Sequence, residues 1–267
     1  MSSAKLRSVE TSVVAADGTR IVVRRSGRGR PVVLVHPTAG GLDSWAPVTP
    51  LVEDSYECWV YARRGYAPSD GCRSPKTFAD DVGDLRAVLE LAGGSAAVVG
   101  ASYGAIVALH AAGVPGVEAL VLFEPPLFAA GTDVVDEYRD LVAAGDLAAA
   151  TYLFADKVAR VPSSLLAALA PERGAAADPG APAEAVGSLH DLEALAADPG
   201  DVERWADIGV PVQLLQGGDS WEPIPSTMDA LARVLPKAPR VVFPGHLHFA
   251  THTAPDLFAD AVRSFLG

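Results

Sequence analysis

The 267-residue chain holds only two cysteines, Cys58 and Cys72. Two thiols are too few for a disulfide framework or a zinc site, and Cys58, set in an apolar run, is expected to be a buried thiol. Basic residues are scarce too: 21 Lys and Arg stand against 33 Asp and Glu, a formal net charge of −12. That deficit argues against nucleic acid, which is held by cations that neutralise phosphates, and leaves no basic patch for an anionic membrane. No apolar run approaches the roughly 20 residues that span a bilayer. The opening MSSAKLRSVETSVVAADG lacks the apolar core of a secretory signal. These gaps predict a cytoplasmic, soluble protein that engages neither nucleic acid nor membrane.

Hydrophobic residues make up 49% of the chain and charged ones 20%, enough for a sizeable core. Val9–Ala15 and Arg20–Arg25 read as strands around an Asp17-Gly18 turn. Pro31–Val35, Tyr56–Tyr61, Ala96–Val99, Val117–Phe123, Pro211–Gln216 and Arg240–Phe243 are short apolar runs of the kind buried in parallel sheets. Thr77–Leu91, Tyr103–Ala112 and Ala254–Leu266 read as helices, with Thr77 as a helix N-cap. The alternation predicts an α/β fold with a mostly parallel sheet covered on both faces. From Leu127 to about Ala206 the alternation stops. Val134–Ala144, Leu147–Ala159, Ser163–Ala170 and Glu184–Ala196 read as helices, and Pro171–Ala183 as a loop. The expected organisation is a core of residues 1–126 and 207–267 with a helical lid inserted at 127–206.

One stretch, AVVGASYGAIVALHAA (Ala97–Ala112), places Ser102 between a strand and a helix, flanked by Gly100 and Gly104. Small residues at those offsets allow a sharp strand-to-helix turn that lifts a serine hydroxyl to the helix N-terminus, the arrangement of a nucleophile elbow.

With LVHPTAGG, ARRGYAPSD, GASYG, LVLFEPP and PGHLHFATHTAPDLFADAVRSFL, the chain resembles the α/β-hydrolase superfamily along most of its length. The resemblance implies an eight-stranded, mostly parallel sheet whose second strand is antiparallel. It also implies a nucleophile–acid–histidine order along the chain, and no cofactor or metal. Ser102 is the expected nucleophile. His248 is the expected base: Gly245 three residues before it and Pro255 seven after it match the family's spacing, whereas His246, the alternative, matches neither. His36 takes a structural place before the oxyanion loop, His110 a core place, and His190 lies in the lid. The His246, His248 and His252 cluster could suggest a metal, but no acidic ligand accompanies it at a familiar spacing.

Two acids remain open. The turn QGGDSWEP puts Ser220 where many relatives carry Asp, leaving Asp219 one residue early. Glu124, at the end of LVLFEPP, occupies the other place used in this fold and is the expected acid. Thr38 and Tyr103 are the expected backbone oxyanion donors, with the Thr38 hydroxyl as an additional one. Trp45, Trp221 and Phe249 are expected near the pocket mouth. The chemistry implied is hydrolysis of an ester, thioester or lactone of a mostly apolar molecule through an acyl-serine. Two alternatives are a cofactor-free lyase or C–C bond-forming enzyme, and a ligand-binding receptor with little turnover.

Overall fold

The computed structural model describes residues 8–73, 75–128, 132–169 and 180–267. Its strands are β1 (Val9–Val14), β2 (Arg20–Gly27), β3 (Arg30–Val35), β4 (Tyr56–Tyr61), β5 (Ala96–Ala101), β6 (Val117–Phe123), β7 (Val212–Gly217) and β8 (Arg240–Phe243). They form one eight-stranded sheet in the order β1-β2-β4-β3-β5-β6-β7-β8. β2 runs antiparallel to both of its neighbours, and every pairing from β4 through β8 is parallel. All eight predicted runs are strands of this sheet.

Successive strand side chains point to opposite faces, so a strand buried on both sides needs apolar residues at every position. β3 shows the division. Val33 and Val35 belong to one core, with Tyr61, Val98, Leu122 and Leu214, while Val32 and Leu34 belong to the other, with Cys58, Val121, Phe123 and Leu215. Neither cysteine is paired; Cys58 is buried and Cys72 half-buried, and burial pushes the Cys58 thiol up to about 12.

Helices α1 (Thr49–Val52), α2 (Phe78–Leu91), α3 (Tyr103–His110), α8 (Ile224–Val234), α9 (Ala250–Thr253) and α10 (Pro255–Leu266) surround the sheet. The N-terminus of α2 forms at Thr77 as predicted, where the Thr77 N–H donates to Asp80 Oδ2 at 2.8 Å and closes the reciprocal capping pattern. Sequence reading missed α8. Its buried Ile224, Met228 and Leu231 follow helical spacing, a signal obscured by Pro223 and Pro225 on either side of its first residue.

Between β6 and β7 lie α4 (Thr132–Ala144), α5 (Leu147–Leu153), α6 (Ser163–Leu169) and α7 (Ala181–Ala197), with no strand among the described residues. α5 continues into a wider π-type turn, Phe154–Val158. Of the predicted loop 171–183, residues 171–179 lie outside the described ones, and Ala181–Ala183 are helical because the Pro182 ring suits a first helical turn. α7 is exposed in its first turn but buried at every position from Gly187 to Leu195, and its Leu189, Leu192 and Leu195 join the larger core. No helix among the described residues is long and apolar enough to cross a membrane.

Close approach of α3 to the sheet depends on two glycines. A Cβ on Gly104 would stand 2.2 Å from the Val35 carbonyl oxygen, and one on Gly100 would stand 2.3 Å from that of Gly104. Gly83 within α2 has open space instead. Gly100→Ala and Gly104→Ala are therefore expected to lower Tm by about 3–10 °C through overpacking. Gly83→Ala should leave Tm equal or slightly higher, since Ala is the better helix former. Thermal unfolding followed by circular dichroism checks both; equal Tm values for all three variants would contradict the close packing.

Candidate active site

The carboxyl ends of β5, β6, β7 and β8 lie side by side, and each supplies one part of the site. Ser102 follows β5 and caps α3 with φ 53° and ψ −122°. A non-glycine residue in that region is strained and is held there only by its surroundings. Here the Ser102 N–H donates to the Phe123 carbonyl at 2.8 Å, tying the turn to the end of β6. The half-buried serine stands at the start of α3, where first-turn N–H groups, Tyr103's among them, have no acceptor within the helix.

Glu124 follows β6 directly, also at positive φ (46°), and is fully buried. Its Oε1 accepts the Gly217 N–H at 2.8 Å, so the carboxylate caps the end of β7. Its Oε2 lies 2.6 Å from His248 Nδ1. An ionised carboxylate only accepts, which places the imidazole proton on Nδ1 and leaves Nε2 with a free lone pair. The His248 ring stacks on Phe123 with centroids 5.8 Å apart, and Trp221 stands edge-on at 6.1 Å. Phe123 thus links the histidine, through its ring, to the serine turn, through its carbonyl.

The alternatives lie elsewhere. Asp219 is exposed, and its N–H donates to the His246 carbonyl at 3.0 Å. His246 Nδ1 faces the Thr253 hydroxyl at 3.2 Å. Gly217 ends β7. A Cβ there would meet the carbonyls of His246 and Leu247 at 2.6 and 2.7 Å, so the glycine lets the His248 loop pack down while its N–H serves Glu124. Trp221 and Phe249 do flank His248. Trp45 does not. It is 1% exposed and packs on Phe258, deep in the core that also holds Phe123.

The segment after β3 carries the expected oxyanion residues. Ala39 has φ 53°, and the Thr38 hydroxyl donates to Asp191 Oδ2 at 2.9 Å. Since a hydroxyl has one proton to give, it is committed there and is not the extra oxyanion donor expected from sequence. His36 is fully buried. Its Nε2 accepts the Arg63 N–H at 3.0 Å, and its Nδ1 lies 2.7 Å from the Pro37 carbonyl. Burial, reinforced by the Arg63 charge, pushes its pKa well below the ordinary value, so it serves as a neutral strut.

Beneath this segment is a cluster that sequence reading did not find. Arg63, Lys76, Asp81 and Asp191 are all fully buried. Arg63 grips Asp191 with two bonds of 2.7 Å, and Lys76 Nζ lies 2.7 Å from Asp191 and 3.0 Å from Asp81. The Tyr103 hydroxyl donates to Asp81 at 2.7 Å. Burial alone would raise the Asp191 pKa, but the charges and hydrogen bonds of Arg63 and Lys76 hold it well below the carboxylate range. His110, expected in the core, stacks on Phe78 at 4.4 Å, and burial lowers its pKa. His190 is buried and bonds Glu193 at 3.0 Å. Among the described residues no three His, Cys, Asp or Glu side chains group as a metal ligand set.

Known proteins share this arrangement of strands. A family model described as the alpha/beta hydrolase family matches residues 32–261. An alpha/beta hydrolase from Sphaerobacter thermophilus DSM 20745 is 30% identical, with a TM-score of 0.81 over 96% of this chain and 100% of the other. The enol-lactonase from Burkholderia xenovorans LB400 is 21% identical, with a TM-score of 0.78 over 96% and 99% of the two chains. A thermophilic esterase from Thermogutta terrifontis is also 21% identical, with a TM-score of 0.76 over 97% and 98%. These last two likenesses show the fold. No curated protein sequence matches the chain.

The short Glu124–His248 contact is open to direct observation. A charge-assisted bond of this length deshields its proton, so proton NMR of the wild type should show a strongly downfield exchangeable resonance. Glu124→Gln should abolish it and Asp219→Asn should leave it in place; the reverse pattern would transfer the histidine's partner to Asp219.

Proposed function

The chain belongs to the alpha/beta hydrolase family, and we propose that it is a serine hydrolase acting on a carboxylic ester, thioester or lactone of a mostly apolar small molecule. The observation that carries the reading is the strained Ser102 turn, joined through Phe123 to a histidine held by a buried carboxylate. Ser102 Oγ attacks the acyl carbon while His248 Nε2 takes its proton, and Glu124 steadies the imidazolium that forms. His248 then gives that proton to the leaving alkoxide or thiolate. Water, deprotonated by the same nitrogen, cleaves the acyl-serine and regenerates the hydroxyl.

The developing oxyanion is met by the backbone N–H groups of Thr38 and Tyr103. Pro37 has no N–H to offer, but neither proposed donor is its own. No step calls for a cofactor or metal. Trp221 and Phe249 beside His248 favour an apolar acyl or leaving group. The inserted helices of 127–206 serve as the lid, and a soluble cytoplasmic setting fits the composition.

A fluorophosphonate probe, with intact mass and peptide mapping, tests the reading. The wild type should take up one adduct at Ser102, and Ser102→Ala none. His248→Ala should slow labelling about 10⁴-fold or more, and Glu124→Gln about 10²–10⁴-fold. Asp219→Asn should label normally. Turnover of p-nitrophenyl esters should fall in the same order. A folded wild type that neither labels nor turns over any such ester would overturn the proposal.

A further inference from the structure

We propose that Asp191, carried by helix α7 of the inserted segment, is the positioning residue of the oxyanion loop, so that docking of α7 completes the catalytic centre. The inference rests on the serine hydrolase reading and adds to it a residue more than 150 positions along the chain from the loop it holds.

The Asp191 carboxylate receives five donors. Oδ1 takes Arg63 Nη1 and Lys76 Nζ, each at 2.7 Å. Oδ2 takes Arg63 Nη2 at 2.7 Å, the Tyr66 hydroxyl at 2.7 Å and the Thr38 hydroxyl at 2.9 Å. Each of the last three reaches the segment 36–39. Thr38 belongs to it. Tyr66, while donating to Asp191, accepts the Ala39 N–H at 3.2 Å. Arg63 donates to the carbonyls of His36 and Pro37, both at 3.2 Å. Ala39, in its left-handed conformation, is the last of these attachment points, held by its own N–H.

The second oxyanion residue enters the same network. The Tyr103 hydroxyl binds Asp81, which shares Lys76 with Asp191, and the Arg63 guanidinium lies 4.3 Å from the centre of the Tyr103 ring. Both proposed donors are backbone N–H groups, whose direction follows from how their residues are pinned. A donor displaced by about an ångström loses much of its effect on the transition state. A carboxylate serving only to anchor α7 would need no bond to Thr38 or Tyr66, since Arg63 and Lys76 together already balance the charges of Asp191 and Asp81.

The test separates rate from affinity, using fluorophosphonate inactivation measured to saturation. In that reaction Ser102 Oγ bonds to phosphorus, fluoride leaves, the serine proton passes to His248, and the phosphonyl oxygen occupies the oxyanion site. Asp191→Asn should lower the maximal inactivation rate roughly 10–100-fold and shift the half-saturating concentration by less than about threefold. Thr38→Val and Tyr66→Phe should each lower the maximal rate, and each should have less effect in the Asp191→Asn background, because their bonds end on that carboxylate. Folding of each variant is read by circular dichroism. Should Asp191→Asn fail to fold, the two single variants decide. Lowered maximal rates with unchanged half-saturation support the proposal, and wild-type rates in both overturn it. A folded Asp191→Asn protein with a wild-type maximal rate also overturns it. A wild type that is not labelled overturns the hydrolase reading itself, an outcome distinct from normally labelled variants.

Discussion

Two opposite charges withdrawn entirely from water must satisfy each other, and the Arg63–Asp191 pair does so with two parallel bonds of 2.7 Å. The desolvation of each ion costs several kcal/mol and is offset only when geometry is good and the remaining polar atoms find partners. Here they do: Lys76, Tyr66, Thr38 and the carbonyls of His36 and Pro37 complete the shells. These partners come from the segments after β3 and β4, the approach to α2, and α7. None can be buried in this way until all are assembled, so the pair acts as a check on assembly.

The sheet contributes position and the charged cluster contributes orientation. Parallel strands side by side bring Ser102, Glu124 and His248 to one edge, the place where open α/β sheets bind their ligands. Non-glycine residues with positive φ among the described ones are Ala39, Ser102, Glu124 and Arg160, and the first three stand at that edge. Strain gathers where backbone direction matters most for chemistry.

Much of this was legible in the sequence, and the legible and hidden parts differ in kind. A strand buried on both faces must be apolar at every position, so VEALVLF and PVVLV declare themselves. The turn at Ser102 needs glycines at fixed local offsets. His248, and the choice between Glu124 and Asp219, could be read only through the resemblance to the alpha/beta-hydrolase superfamily, because the partners of a histidine or a carboxylate are not written in its own neighbourhood. The cluster around Asp191 is different. The bonds of Asp191 itself span 115 to 153 residues, and nothing local marks a buried lysine or aspartate, which composition assigns to the surface. The one trace is on α7, where His190, Asp191 and Glu193 interrupt a mostly apolar stretch that is buried from Gly187 to Leu195. Trp45 failed for the converse reason: an aromatic near the oxyanion segment in sequence can still be buried in the core, packed on Phe258.

Glu124 is also the last residue before the chain leaves the sheet for the inserted helices, and Pro125 and Pro126 follow it at once. Each proline ring fixes its own φ, so the chain leaves the sheet along a narrowed set of directions directly beside the carboxylate that bonds His248. Through Asp191 the same inserted helices reach back to the loop at Thr38. The insertion thus meets the site twice, once at its root through the backbone and once at α7 through a side chain.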